Sequence, residues 1–207
     1  MVKWSGVFML KVNGISYRYQ NNGPWVFRNF RLAVQPGEIV GLCGYNGAGK
    51  TTLAKIIAGY LKPHEGEILV DEQPVSSFTG IRPVQLVWQH PEKSINPKWK
   101  MKKVLEETTD LDEELLSLLG IKSEWLDRWP SELSGGELQR FCLARTLGKH
   151  TKYLIADEMT TMLDAVTQAQ IWHALLELAK QRNIGILAIS HNQHLLQKIS
   201  DRTVSIA

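Results

Sequence analysis

A glycine-rich stretch from Gly44 to Thr51 has the residue types and spacing of a phosphate-binding loop. It reads Gly-Tyr-Asn-Gly-Ala-Gly-Lys-Thr. Glycines let such a loop adopt positive φ and bring its N–H groups close to an anion. Lys50 would then reach the β- and γ-phosphates of a nucleotide, and the Thr51 hydroxyl would ligate Mg²⁺. The alternative, a glycine-rich turn with a helix-capping threonine, is disfavoured because a strand pattern precedes the loop and a helix pattern follows it.

Two adjacent carboxylates, Asp157 and Glu158, follow a second apolar run, Tyr153–Ala156. Ligands of open parallel sheets bind at the carboxyl ends of the strands. We therefore predict that Asp157 holds Mg²⁺, directly or through water, and that Glu158 orients or deprotonates the attacking water. Taken alone, the pair also fits two solvated acids at a strand end. The glycine-rich loop upstream favours the chemical interpretation.

The order of periodic segments predicts an α/β fold with a mostly parallel sheet covered on both faces. Strand patterns cover Val7–Tyr19, Phe30–Gln35, Glu38–Cys43, Glu67–Val70, Val84–Trp88, Tyr153–Ala156 and Ile184–Ile189. Helical patterns cover Lys50–Tyr60, Leu111–Leu119, Ser123–Arg128, Gly135–Leu147, Val166–Lys180 and Leu195–Ile199. Strand patterns are absent from Pro91 to Pro130, which predicts an inserted helical lobe.

Composition limits the classes of function. With 207 residues, 43% hydrophobic and 22% charged, the chain is expected to be a soluble globular protein. Its net charge of +3 is too small to argue for nucleic acid binding. Apolar runs of membrane-spanning length and a secretory signal are both absent from the sequence. Cys43 and Cys142 are predicted to be reduced core residues of a cytosolic protein, and the six scattered histidines do not suggest a structural metal site.

A third motif, Leu-Ser-Gly-Gly-Glu-Leu-Gln at residues 133–139, has no use in a self-sufficient nucleotide site. Gln89 and His191 each follow an apolar strand pattern, and Thr161–Asp164 follows the acidic pair. With these motifs in this order, essentially the whole chain resembles the ATP-binding cassette (ABC) ATPases. The resemblance implies a P-loop NTPase cassette in one domain, residues 1–207. Its parts would be a mostly parallel core sheet, an N-terminal antiparallel β subdomain and an α-helical subdomain inserted at about residues 91–148.

The same resemblance implies ATP and Mg²⁺ as cofactors and assigns the residues that bind them. Mg²⁺ would be held by Thr51, Gln89 and Asp157, and the catalytic residues would be Glu158, His191, Gln89 and Lys50. On one chain, the adenine of ATP would contact Tyr19, with Tyr17 as the alternative. The same chain would also contact ATP through Gly44, Tyr45, Asn46, Gly47, Ala48, Gly49, Lys50, Thr51 and Thr52. The second chain would supply Ser134, Gly135, Gly136, Glu137 and Asp164. Locally, Ser134–Glu137 also reads as a helix N-cap with a first-turn acid.

The implied partners are a second ABC ATPase subunit, either identical or related, and transmembrane permease subunits. The chain would lie on the cytoplasmic face of a membrane and contact no nucleic acid. Residues 89–98 and 162–171 are similar to ATPases of peptide and nickel importers. A permease would dock on residues 89–103, where Ile95, Trp99 and Met101 are candidate contacts and ordinary lobe packing is the alternative. A non-transport cassette acting on nucleic acid or ribosomes, and a P-loop kinase, are the competing functions.

Overall fold

Two β-sheets form the framework of the chain in a computed structural model, which describes residues 8–108 and 113–206. The strands are β1 Leu10–Tyr17, β2 Phe27–Val34, β3 Ile39–Cys43, β4 Glu65–Val70, β5 Gln73–Pro74, β6 Val84–Val87, β7 Tyr153–Asp157, β8 Gly185–Ile189 and β9 Arg202–Ser205. The helices are α1 Lys50–Ile57, α2 Met101–Leu105, α3 Glu113–Leu118, α4 Gly135–Thr146, α5 Ala165–Arg182 and α6 Gln193–Ile199. Short 3₁₀ turns lie at Val75–Ser77, Pro91–Lys93, Ser123–Trp125 and Pro130–Glu132.

The larger sheet is fully parallel, in the order β6-β7-β8-β3-β9. Every residue of β7 and β8 is buried, as their continuous apolar sequences require. Leu42 at the end of β3 pairs with Ile189, and Asp157 at the end of β7 pairs with the same residue. The glycine-rich loop, the acidic pair and His191 therefore leave neighbouring strands at one edge of the sheet.

The smaller sheet is antiparallel, in the order β2-β1-β4-β5. The β1–β4 pairing shifts register between Asn13 and Ser16, and Gly66 lies opposite this irregularity with φ of 79°. A Cβ at Gly66 would collide with the main chain of Asn13 and Gly14, so only glycine fits this close approach. The sheet packs with α1 around one apolar cluster that also covers one face of the parallel sheet.

A second apolar cluster covers the other face of the parallel sheet. Alternate residues of β8 divide between the two clusters, with Ile186 and Ala188 in this one and Leu187 and Ile189 in the other. Helix α4 packs against α2, β6 and α5. The helices between β6 and β7 thus share a core with the sheet. Ile95, Met101 and Trp125 are all buried within it.

The predicted α/β class and the parallel sheet with helices on both faces are confirmed, and several boundaries differ. Strands β5 and β9 and helix α2 were not predicted, β2 begins three residues before the predicted start, and the helix predicted over Ser123–Arg128 is a single 3₁₀ turn. Val7, Leu111 and Asp112, at the ends of two predicted segments, lie outside the described residues. Within residues 8–108 and 113–206, no helix combines the length and apolarity that crossing a bilayer would take.

Candidate functional site

The glycine-rich loop connects β3 to α1 and curls around the side chain of Lys50. Gly47 and Gly49 have φ of 89° and 91°, and a Cβ at Gly49 would collide with Val26. The buried Lys50 ammonium donates hydrogen bonds to the main-chain oxygens of Gly44 at 2.9 Å and Tyr45 at 3.1 Å. A charged group is thus fixed at the centre of a loop that the N-terminus of α1 follows. Such an arrangement suits an anion.

The exposed tip of this loop is formed by Tyr45, Asn46 and Gly47. Tyr45 is 68% exposed, and a Cβ at Gly47 would meet no heavy atom of the described residues within 4 Å. Ala48, by contrast, is buried in the apolar cluster beneath the loop. The loop is therefore anchored from below and open above.

Asp157 lies buried beside the first turn of α1. It is 3% exposed, and among the described residues its Oδ1 atom has no hydrogen-bond partner. Burial raises the pKa of this carboxyl, while a hydrogen bond from the Thr51 side chain and the charge of Lys50 act in the opposite direction. Burying a carboxylate without full compensation is unfavourable. A hydroxyl and a carboxylate are hard oxygen ligands, so these residues fit a Mg²⁺ ion.

Gln89 is placed on the same side of the sheet as this pair. With Thr51 and Asp157 it lines a cavity of about 340 Å³, whose remaining walls are Lys55, Trp88, His90, Lys93 and Ser94. Gln89 follows β6, the strand next to β7. The three residues predicted to hold Mg²⁺ are therefore brought to one cavity.

Glu158 and His191 face each other across the ends of β7 and β8. Glu158 Oε2 lies 3.6 Å from His191 Nδ1, and the side chains are 17% and 52% exposed. The main-chain N–H of Glu158 donates to the oxygen of Ile189 at 3.0 Å, and Glu158 has φ of 49°. A positive φ is unfavourable for a residue with a Cβ and is common where a functional group must be aimed. The geometry suits a base held beside an imidazole.

The residues of the third motif start helix α4. Ser134 Oγ accepts from the N–H of Glu137 at 3.3 Å, and Glu137 Oε2 accepts from the N–H of Ser134 at 2.8 Å, which is a capping box. Asp164 caps α5 beside it, because its Oδ1 accepts from the N–H groups of Val166 and Thr167 at 3.0 Å. A hydrogen bond from the Thr167 hydroxyl at 2.6 Å, together with these two main-chain bonds, lowers the pKa of Asp164.

The two capped helices enclose a second cavity, of about 570 Å³. Ser134, Gly135, Gly136, Glu137 and Asp164 all line it. None of these residues lines the cavity of Thr51, Gln89 and Asp157. The chain therefore carries two separate groups of predicted nucleotide contacts, one at the edge of the parallel sheet and one at the start of α4.

Gly136 allows α4 and α5 to touch. A Cβ at this position would lie 2.6 Å from Thr167 Cγ2, and Thr167 cannot turn away without breaking its bond to Asp164. We expect Gly136→Ala to lower the free energy of unfolding by about 1–3 kcal/mol, the usual cost of overpacking.

Gly135→Ala is the matched control, because its Cβ would meet Leu163 at an ordinary 3.6 Å. Urea denaturation of both variants measures the difference. Equal stability of Gly136→Ala and Gly135→Ala would contradict the close contact.

Tyr19 is an exposed aromatic residue whose hydroxyl contacts α1. It is 68% exposed, whereas Tyr17 is 8% exposed and packs edge-on against it with ring centroids 5.3 Å apart. The Tyr19 hydroxyl oxygen lies 2.6 Å from Thr52 Oγ1. Of the two candidates for adenine stacking, Tyr19 therefore has the accessible ring.

Comparison with known proteins identifies the family. The ABC transporter family model matches residues 27–161, more than half of the chain. The chain belongs to the ABC transporter family. It is an ATP-binding cassette ATPase, as its sequence motifs predicted.

Individual relatives of the cassette are similar over nearly its whole length. The nickel import ATP-binding protein NikE of Pseudomonas putida is 33% identical over 221 residues, which cover 95% of this chain and 81% of that protein. NikE of Escherichia coli K12 is 30% identical, with 95% and 82% covered. The putrescine export system ATP-binding protein SapF of Escherichia coli K12 is 29% identical, with 95% and 81% covered.

Among solved structures, the dimeric bacterial ABC transporter cassette MJ0796 matches with a TM-score of 0.82 and 23% identity, covering 96% of this chain and 94% of that one. A dimeric post-hydrolysis state of MJ0796 bound to ADP and Pi matches with a TM-score of 0.80 and 22% identity, with the same coverage. This likeness confirms the predicted P-loop cassette fold.

Three side chains that support the cassette's site were not predicted. Buried Thr160 accepts hydrogen bonds from Gln168 Nε2 at 2.8 Å and Trp172 Nε1 at 3.1 Å, which ties the turn after Glu158 to α5. Ser190 Oγ accepts from the N–H of Asn192, and Thr167 holds Asp164. Hydroxyl residues are common in turns and in the first turns of helices, so no sequence signal distinguishes these three.

Proposed function

We propose that this cassette is the ATP-hydrolysing subunit of an ABC importer for peptides, nickel or metal chelates. Mg-ATP would bind at an interface between two cassettes, in contact with the glycine-rich loop of one and the Ser134–Glu137 motif of the other. One observation carries the proposal: the predicted Mg²⁺ ligands line one cavity, the predicted contacts of the second chain line another, and the two cavities share no residue. A second chain is then needed to bring them together. NikE, named for nickel import, supports the importer assignment.

The chemistry we propose is transfer of the γ-phosphoryl group to water. Lys50 and the loop N–H groups would hold the phosphates. Thr51, Gln89 and Asp157 would hold Mg²⁺, which would neutralise charge on the phosphate oxygens. Glu158 takes the proton of the attacking water. His191, 3.6 Å from Glu158, orients that carboxylate and contacts the γ-phosphate. Ser134 and the free N–H groups at the start of α4 in the second chain complete the site.

The second subunit and the permease remain proposals that the geometry supports. The cassette presents a groove of about 610 Å³ whose wall includes Tyr60, Ile81, Arg82, Trp88 and Arg145. Tyr60 and Ile81 are exposed large apolar side chains, which suits a docked protein segment. We propose that a permease segment docks here, which would hold the chain at the cytoplasmic face of a membrane.

The predicted docking contacts Ile95 and Met101 are wrong, because they are 5% and 0% exposed in the apolar core. Trp99 is partly buried, packs against the same core and has the Lys103 ammonium 4.6 Å from its ring centroid. Lobe packing, the alternative considered for this segment, accounts for all three residues.

We further propose that the cassette is one domain and that residues 91–148 form the inserted lobe. Helices α2, α3 and α4 support this, since they lie between the neighbouring strands β6 and β7.

Binding and hydrolysis of ATP by the purified chain test the proposal. We expect Mg²⁺-dependent release of phosphate, and its loss when EDTA removes the metal. Lys50→Ala should weaken ATP binding about 10- to 100-fold, the effect of removing a charge-assisted hydrogen bond.

Lys62→Ala, at an exposed lysine beyond the end of α1, is the control and should bind ATP like the native chain. A folded native chain that binds no ATP in calorimetry would contradict the proposed function. Equal binding by the native chain and Lys50→Ala would contradict the role of the loop.

A further inference from the structure

The Tyr19 hydroxyl makes a contact that adenine stacking does not require. It shares a hydrogen bond with Thr52 Oγ1 across 2.6 Å, joining the chain just after β1 to the first turn of α1. The Tyr19 ring is itself held by Tyr17, whose own ring packs against Phe27 at 6.4 Å. The ring is therefore fixed at both ends, while most of its surface stays exposed.

The two neighbouring threonines of α1 have different partners. Thr51 is bonded to Asp157, on the side of the metal-binding residues, whereas Thr52 is bonded to Tyr19. Adjacent residues of a helix point in different directions, so each hydroxyl serves one side only. Thr52 is 6% exposed, which leaves its hydroxyl few alternative partners.

We propose that the Tyr19 hydroxyl is a positioning group for the nucleotide phosphates, acting through Thr52. The proposal rests on the ATP site of the proposed function. Phosphate oxygens only accept hydrogen bonds, so Thr52 must donate to bind one. When Tyr19 donates its proton to Thr52 Oγ1, the Thr52 proton is free to point at the phosphate. Each bond in such a chain polarises and strengthens the next.

This arrangement also preorganises the stacking ring. A side chain that is already held loses less conformational entropy when its ligand binds. The hydroxyl thus connects base recognition, which belongs to the antiparallel sheet, with phosphate recognition, which belongs to α1. Tyr19 is in this sense a link between two parts of the nucleotide site rather than a stacking surface alone.

Tyr19→Phe isolates the hydroxyl, because the phenyl ring still stacks on a base. We expect the dissociation constant for Mg-ADP, measured by titration calorimetry, to rise about 3- to 10-fold, the effect of one neutral hydrogen bond. ADP is the suitable probe because it keeps the adenine and the inner phosphates and is not hydrolysed. Tyr60→Phe is the matched control, because Tyr60 is exposed and lines neither cavity of predicted nucleotide contacts, and this variant should bind ADP like the native chain.

A double-mutant cycle separates this role from stacking. In a Thr52→Val background, Tyr19→Phe should have no further effect on ADP affinity, since its partner hydroxyl is already gone. In a Thr52→Ser background, which keeps a hydroxyl, Tyr19→Phe should again weaken binding about 3- to 10-fold. Thermal unfolding of each variant verifies that the fold is intact.

Three outcomes would overturn the inference: an unchanged ADP affinity of Tyr19→Phe, a tighter one, or full additivity of Tyr19→Phe with Thr52→Val. Failure of the native chain to bind ADP would instead contradict the proposed function on which the inference rests.

Discussion

Replacing Glu158 by glutamine is expected to reduce ATP turnover about 1,000-fold and to leave ATP binding intact. The amide keeps the size of the side chain but cannot take a proton from water, and a general base contributes roughly 10²–10⁴-fold to rate. The phosphate cradle of Lys50 and the glycine-rich loop does not involve Glu158. Phosphate release and ATP titration calorimetry on the same preparation separate the two effects.

Glu177→Gln provides the control for this substitution. Glu177 is exposed on α5, its side chain accepts a hydrogen bond from Gln181, and it lines neither predicted nucleotide cavity. The Glu177→Gln variant should hydrolyse ATP at the native rate. Turnover of Glu158→Gln within a few-fold of native would contradict the assignment of Glu158 as the base.

The same variant tests how the cassette assembles. If ATP closes two chains and Glu158→Gln cannot hydrolyse it, the closed pair should persist. Light scattering should then show a monomer without Mg-ATP and a dimer with it. Tight ATP binding by a monomer that never dimerises would show that this chain does not pair with itself and needs a different second ATPase.

The candidate residues at the edge of the parallel sheet can be recognised from sequence, because each group of them is a short contiguous run. A glycine-rich loop needs its glycines and lysine at fixed spacing, and an acidic pair at the end of an apolar strand is visible without knowing the fold. Parallel pairing of β3, β7 and β8 then brings Lys50, Asp157 and His191 to one edge.

Other features depend on contacts that short patterns do not encode. Strand β9 has only four residues, and its assignment depends on pairing with β3, about 160 positions earlier. Helix α2 is five residues long, too short for a helical period to be recognised. The apolar side chains of Ile95 and Met101 are expected both in a surface that docks a partner and in a buried core, so residue type alone does not distinguish the two. Their burial in the apolar cluster that α2 and α4 share shows that both residues fill the core.

The Tyr19–Thr52 contact is another feature that short sequence patterns do not encode. Both residues were predicted to contact ATP, Tyr19 through the adenine, but as independent contacts. Their link requires the end of β1 to lie over the start of α1. That placement comes from the packing of the antiparallel sheet with α1 around one apolar cluster.

Replacing Ser134 by arginine is expected to reduce ATP turnover about 1,000-fold. ATP binding by a single chain should not change. Ser134 is exposed at the start of α4, and its cavity shares no lining residue with that of Thr51 and Asp157. An arginine there would fill the space that the partner's γ-phosphate should occupy and would remove a hydrogen-bond donor from the transition state. Because Lys50 and the glycine-rich loop are untouched, ATP titration of this variant should match the native chain.

Ser131→Arg is the matched control, since Ser131 is also exposed, lies three residues earlier and is not among the residues lining the cavity at the start of α4. The Ser131→Arg variant should hydrolyse ATP at the native rate. Loss of activity in both variants would indicate a general effect of added charge on this surface, and native turnover of Ser134→Arg would contradict a site shared between chains.

Mixing Ser134→Arg with Lys50→Ala gives the sharpest form of this test for a chain that dimerises with itself. Each variant alone lacks one half of both sites. A mixed dimer has one site with both defects and one with neither, because the loop of the first chain meets the α4 motif of the second. Random mixing should therefore restore about a quarter of native turnover if the two sites act independently, as two-fold symmetry requires. Recovery of activity from two inactive preparations cannot arise when each chain carries a complete site of its own.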